Sequence, residues 1–248
     1  MDRLLIDSEV VSTDFEIQNL CKNYCFNQND LIPAGMPRYD YLNENEKSDR
    51  RILLAPSWRK YLVRQKKDGQ WLGIQNVFAK SLFFKELSTL LNSAELTSLL
   101  EEHDYILELK LHPILSELYR DYFRFDSRRI QLAPESVNES KYRIFITDFS
   151  SYRFDFVYLK RTIMYFFPDY ELFNSGMCDY RETDLPLDGT FGNITTTANE
   201  AVSELRSILE RGGNPEEKYR KQMDGFFLYN DNSQCDRIYD ALISDSTY

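Results

Sequence analysis

The chain is poor in the features that would make its function obvious, and each shortage removes a class of protein. There are four cysteines in 248 residues, Cys21, Cys25, Cys178 and Cys235. Cys21 and Cys25 fall in a helical-looking segment and read as small apolar side chains, not metal ligands. So few cysteines point to a reducing compartment and exclude a disulfide scaffold. The two histidines, His103 and His112, have no cysteine or second histidine at ligand spacing, so neither a metal site nor a cofactor is expected. Neither glycine-rich phosphate signature, G-x-x-x-x-G-K-[ST] or G-x-G-x-x-G, occurs. No apolar run approaches the roughly 18 to 20 residues that cross a bilayer, and the N-terminus lacks a signal-peptide pattern. Positive charge is also short: 30 Lys and Arg stand against 40 Asp and Glu, a net charge of −10. That balance argues against binding nucleic acid or an anionic membrane face by bulk electrostatics. The expectation is a soluble cytoplasmic protein.

What remains is globular. Hydrophobic residues make up 42% and aromatics 15%, with 17 Tyr and 17 Phe. Short apolar runs alternate with helical patterns. "RLLI", "LIPAG", "RRILLAPSWR", "YILELKLHP", "RIQLA", "RIFIT" and "TIMYFF" read as strands. "DFEIQNLCKNYC", with Ser12 or Thr13 as its cap, reads as a helix, as do "SLFFKELSTLL", "SAELTSLLEEH" and "ILSELYRDYF". Residues 60–78 read as a polar loop or insertion and 169–193 as a long functional or covering loop, and three helices close the chain. This alternation predicts an α/β fold with a Rossmann-like, mainly parallel sheet flanked by helices.

In such sheets ligands bind beyond the carboxyl ends of the strands. Four turns fall there: "GMPRYD", "APSWR", "LKLHP" and "TDFSS". In the last, Ser150 or Ser151 either caps the following helix or joins its free N–H groups in holding a phosphate. Arg153, in the first turn, opposes the helix dipole unless an anion sits nearby. Arg59 has a guanidinium suited to two phosphate oxygens, or to one of the many acids. Arg38 carries the same ambiguity, with Gly35 and Pro37 shaping its turn and Asp40 capping the segment after it. Pro56 and Trp58 stiffen the "APSWR" turn. His112 is placed to bond a phosphate or shuttle a proton, or is a structural histidine; His103 reads as solvated.

These motifs, in this order, resemble the CDP-glycerol glycerophosphotransferases that polymerise or prime teichoic acids. That family shows G-x-P-R-x-D, a strand into A-P-T-W-R, R-x-H-P, and T-D-Y-S-S followed by F-D-F-x-Y-L-x-R-P. Thr147, Asp148, Ser150, Ser151, Asp155, Leu159, Lys160 and Arg161 match in order. "YFFPDYELF" and the N-terminal "DSEVVSTDFEIQNLCKNYC" also resemble family segments, and the likeness spans roughly residues 1 to 210. Ser57 replaces the usual threonine, Phe149 the tyrosine and Thr162 the proline after "LKR". The proline-glycine-proline turn before the E-L helix is missing from "LPLDGTFGNITTTANEAVSEL". These departures bear on the donor's identity more than on the fold.

The resemblance implies the C-terminal, donor-binding lobe of a GT-B fold over residues 1–248, without the N-terminal acceptor lobe that carries the family's presumed histidine base. It implies a donor, CDP-glycerol or a related CDP-polyol, whose diphosphate meets Arg59, His112, Ser150 and Ser151. Asp148 would orient the turn or meet the glycerol end, and with His112 would make up the catalytic pair. Gly35, Arg38 and Pro56 would shape the cleft, with Tyr165, Phe167 and Asp169 near its mouth. The acceptor would be a lipid-linked or polysaccharide hydroxyl, and the base would come from the missing lobe, separately encoded or lost. The chain alone would then bind donor and turn over poorly, in the cytoplasm or at the inner membrane face. Two rival readings are a nucleotide-sugar transferase lobe for capsule synthesis and a non-catalytic remnant or interaction module.

Overall fold

The computed structural model describes residues 6–176, 184–187 and 189–245. The strand expected at residues 3–6 falls almost wholly outside them, as does Cys178. Among the described residues the first element is β1 (Glu9–Val11), followed by α1 (Asp14–Asn23) and β2 (Leu31–Pro33), which pairs in parallel with β1. Thr13 caps α1 through a reciprocal box: its hydroxyl accepts from Glu16 N at 3.0 Å, and Glu16 Oε2 accepts from Thr13 N at 3.1 Å.

The main body begins at β3 (Arg51–Leu54). Residues 60–78, expected to be a loop, instead form the antiparallel hairpin β4 (Val63–Gln65) and β5 (Trp71–Gly73) and most of α2 (Gln75–Lys80). The elements α3 (Leu82–Leu91), α4 (Ala94–Glu102), β6 (Ile106–Leu109), α5 (Pro113–Tyr119) and β7 (Ile130–Leu132) come next. The second half runs through β8 (Ile144–Thr147), α6 (Arg153–Tyr158), β9 (Thr162–Phe166), α7 (Tyr170–Asn174) and β10 (Ile194–Thr195). Three helices close it: α8 (Ala198–Glu210), α9 (Glu217–Asp224) and α10 (Gln234–Asp245).

Six strands form one parallel sheet in the order β10-β9-β8-β3-β6-β7. The chain runs outward from β3 to β6 and β7, then crosses back to lay β8 on the other side of β3. Strand order therefore reverses between β3 and β8, which opens a crevice at their carboxyl ends. β8 and β9 are buried along their whole length, which is why "RIFIT" and "TIMYFF" are continuous apolar runs. Alternate residues feed two cores. Ile52, Leu54, Ile144 and Ile146 pack with the apolar faces of α3, α4 and α8. Leu53, Phe145, Ile163 and Tyr165 pack with Phe156 and Val157 of α6 and with Tyr219 and Met223 of α9.

Candidate functional site

A cleft of about 1330 Å³ opens at the carboxyl edge of the sheet. Its sheet side is formed by Pro56, Ser57 and Trp58 after β3, His112 after β6, and Ser150 to Phe154 after β8. Facing them are Ser12, Met36, Arg38 and Tyr39 from the β1–β2 unit. The β4–β5 hairpin adds Gln65 and Trp71, and Trp71 meets Trp58 edge-on at 5.3 Å. Three of the four turns singled out from sequence thus converge at the strand-order reversal, and Met36 and Arg38 bring the fourth to the same opening.

Arg59 does not line this cleft; it is fully buried beneath it. Its Nη1 donates to Asp148 Oδ2 at 2.6 Å and to the Ser57 carbonyl at 2.9 Å. Its Nε and Nη2 grip Asp169 in bidentate fashion at 2.7 and 2.8 Å. The rings of Phe83, Phe149 and Phe167 surround the guanidinium at 4.6 to 5.2 Å. Asp148 accepts from Ser57 N with both oxygens, at 3.1 and 2.9 Å, and the Tyr61 hydroxyl donates to Asp169 at 2.6 Å. Thr147 Oγ1 donates to the Ala55 carbonyl at 2.8 Å. One guanidinium thereby joins the exits of β3, β8 and β9. Burial alone would lower the Arg59 pKa, but the two carboxylates reverse this and raise it. Burial would likewise raise Asp169, and Arg59 with Tyr61 more than offsets that, holding it below the usual carboxylate range. The diphosphate grip expected of Arg59 is not seen in this arrangement: its donors bond Asp148, Asp169 and the Ser57 carbonyl, and its surface is sealed. Asp148, Tyr165, Phe167 and Asp169 are buried in the same layer.

His112 caps α5 and precedes Pro113 at the first helical position. Its Nδ1 accepts from Ile114 N at 3.3 Å, which assigns the ring proton to Nε2. Burial lowers its pKa, so the imidazole is neutral at pH 7, with Nε2–H as a donor. The serines differ from expectation: neither caps α6, whose N-cap is Tyr152 without a side-chain bond. Ser150 Oγ accepts from Tyr152 N at 3.2 Å. Arg153 N, Phe154 N and Asp155 N donate to the carbonyls of Ser150, Ser151 and Tyr152. The first-turn amides of this short helix are thus satisfied internally, and both serines line the cleft. Arg38, half exposed, donates its Nε to Asp155 Oδ1 at 2.7 Å. Burial of Asp155 still outweighs that attraction, so its pKa is raised.

Gly35 acts behind the cleft. Its φ is +86° and a Cβ there would lie 2.7 Å from Gln234 Cγ, so glycine is needed for both conformation and space. Sequence reading missed Ser12, Gln65 and Trp71 as lining residues, and it left Asp169 without a role. The aromatic pair Trp58 and Trp71 was the available signal for the hairpin. Among the described residues no cluster of three or more His, Cys, Asp or Glu side chains gathers as a metal site. No described helix is long and apolar enough to cross a membrane.

The family model of CDP-glycerol:poly(glycerophosphate) glycerophosphotransferase matches residues 4–244. The chain belongs to that family. It is 29% identical over 246 residues to the minor teichoic acid biosynthesis protein GgaB of Bacillus subtilis, covering 94% of this chain and 26% of that protein. It is 29% identical over 206 residues to the teichoic acid poly(glycerol phosphate) polymerase of Bacillus spizizenii, covering 73% of this chain and 46% of that protein. Among solved structures, the wall teichoic acid polymerase TagF superposes with a TM-score of 0.65 at 18% identity, over 96% of this chain and 58% of that one. The UDP-GlcNAc 2-epimerase of Methanocaldococcus jannaschii superposes with a TM-score of 0.54 at 13% identity, over 96% of this chain and 61% of that one. These two share the GT-B-like fold with the chain. This glycerophosphotransferase-family chain spans about a quarter to a half of the curated relatives it matches.

Proposed function

We propose that the chain is the donor-binding half of a glycerophosphotransferase of teichoic acid synthesis, and that CDP-glycerol or a related CDP-polyol occupies the cleft between β3 and β8. The observation that carries this reading is the convergence of Ser57, His112, Ser150 and Ser151 at the strand-order reversal in a chain of this family. His112 Nε2–H and the serine hydroxyls meet the diphosphate oxygens. Arg59, Asp148 and Asp169 set the turns that carry the serines. In the reaction, an acceptor hydroxyl attacks the phosphorus nearer the glycerol. The bond from that phosphorus to the bridging oxygen breaks, and CMP leaves with the electron pair. Phosphoryl transfer of this kind rests on positioning and charge neutralisation, so donors aimed at the departing CMP phosphate stabilise the transition state.

The base that deprotonates the acceptor lies outside this lobe, and the acceptor is a polymer or lipid-linked hydroxyl. The working place is the cytoplasm or the inner membrane face. Calorimetric titration of the chain with CDP-glycerol, CMP and UDP tests the reading. Binding that prefers cytidine and weakens roughly tenfold in Ser150→Ala and His112→Ala is expected. A folded chain that binds no nucleotide, or one that turns over CDP-glycerol unaided, would overturn the corresponding part.

A further inference from the structure

Among the described residues, four basic side chains line the cleft: Arg38, Lys60, Lys110 and Arg153. Arg38 is committed to Asp155, and Lys110 is exposed, with Nζ at 3.4 Å from the Glu135 carbonyl. Arg153 differs from both. Only 4% of its surface is accessible. Its side chain makes no hydrogen bond or ion pair among the described residues, and its Nε is buried without a partner. Burying a guanidinium with its donors unused is costly, so such groups are normally paired. Two further buried polar atoms have no partner among the described residues: Ser12 Oγ, which lines the same cleft, and Tyr165 Oη in the layer beneath, which feels the Arg153 charge.

The guanidinium is not loose. Its carbon lies 4.7 Å from the Phe154 ring centroid, and Phe154 stacks on Phe226 at 5.7 Å. Flat aromatic packing of this kind fixes the plane of an arginine while leaving its N–H edge available. Arg153 also leaves the same turn as the two serines, its backbone N–H donating to the Ser150 carbonyl at 3.3 Å.

We propose that Arg153 is a direct phosphate ligand, its guanidinium edge pairing with non-bridging oxygens of a nucleoside diphosphate in the cleft. This rests on the donor-binding reading above and adds to it the one lining arginine without an acidic partner among the described residues. A purely structural role is the rival: Arg59, Asp148 and Asp169 together carry one excess negative charge, which Arg153 offsets from a distance. The two roles predict opposite behaviour.

The test is calorimetry on the full chain with CDP-glycerol, CDP, CMP and glycerol 3-phosphate, for wild type, Arg153→Met and Arg153→Lys, beside thermal unfolding without ligand. Loss of roughly tenfold or more in affinity for CDP-glycerol and CDP is expected in Arg153→Met, with a smaller loss for CMP, partial recovery in Arg153→Lys, and an unliganded Tm that holds or rises. A lowered Tm with unchanged diphosphate affinity would make Arg153 a counter-charge and overturn the proposal. So would a loss confined to glycerol 3-phosphate, which would assign the residue to the acceptor side. If Ser150→Ala weakens CDP-glycerol and Arg153→Met does not, the donor reading stands and this inference alone falls. A wild-type chain that binds none of the four fells both.

Discussion

The two walls of the cleft are held in place by different physics. On the sheet side, the exits of β3, β8 and β9 are joined through a sealed arginine whose four hydrogen bonds to side chains and one carbonyl are short and surrounded by rings. On the opposite side, the "GMPRYD" turn is held by α10 and the residues just before it. Asn232 Nδ2 donates to the carbonyls of Tyr39, Asp40 and Leu42 at 2.7 to 3.1 Å, and the Asp40 carboxylate accepts from Gln234 N and Cys235 N at 2.8 Å. The first wall is low-dielectric and intolerant, because removing one charge strands others. The second rests on partly solvated hydrogen bonds that can be remade one at a time. Rigidity therefore sits under the Ser57 and Ser150–Ser151 turns, and adjustability sits under Arg38.

Replacing Arg59 with Met should separate the walls most sharply. It leaves Asp148 and Asp169 buried without their cation, and a loss of about 3 to 5 kcal/mol is expected in urea unfolding. A loss below about 1 kcal/mol would mean that the sheet-side wall is not held by charge. Gly35→Ala comes next, since it meets both a left-handed backbone and the fully buried Gln234. A cost of about 2 kcal/mol is expected, with hydrogen exchange quickening in α10 before the sheet. Equal quickening in β8 would show that the walls are coupled. Asp40→Ala removes a carboxylate that caps α10 from elsewhere in the chain, and a loss of about 1 kcal/mol is expected.

The same cap gives a pH signature. Burial works to raise Asp40, but its bonds to Cys235 and Gln234 outweigh this and lower it. The stabilisation is therefore complete above the unfolded carboxylate pKa and fades as pH falls through the folded value, near and below pH 4. α10 should loosen there first, as read by exchange at graded pH. The smallest effect concerns His112. Its lowered pKa means the unfolded chain takes up a proton more readily, so stability contributed by the neutral ring is lost as pH falls below about 6.5. His112→Gln should remove an acid-side Tm decline of no more than about 2 °C. A decline that survives the substitution would assign it to another group.

The doubly wound sheet was legible because its strands are buried on both faces, and continuous apolar runs such as "RIFIT" survive any register. The convergence of turns was legible because ligand sites in such sheets follow from strand direction alone. The hairpin at 63–73 was not: its strands are three residues each, largely exposed, and stabilised by Trp71 against Trp58 rather than by a pattern along the chain. β1 was not read for the same reason, since a three-residue strand paired among the described residues with β2 alone carries no periodicity. Arg59 was assigned to a ligand because sequence shows that a guanidinium is present and not where its partners lie. Asp148 and Asp169 come from turns 89 and 110 residues away. Serine capping failed on geometry, since the turn after β8 tightens into 3₁₀-like bonds before α6 begins.

The Arg59 junction also constrains how this lobe changes over generations. A mutation at 59, 148 or 169 that leaves the other two ionic residues in place strands a charge, whereas their joint replacement by apolar side chains of matching volume need not. Across natural variants these three positions should therefore vary as a set or stay fixed, and a lineage that drifts at one of them should carry its compensation at the other two.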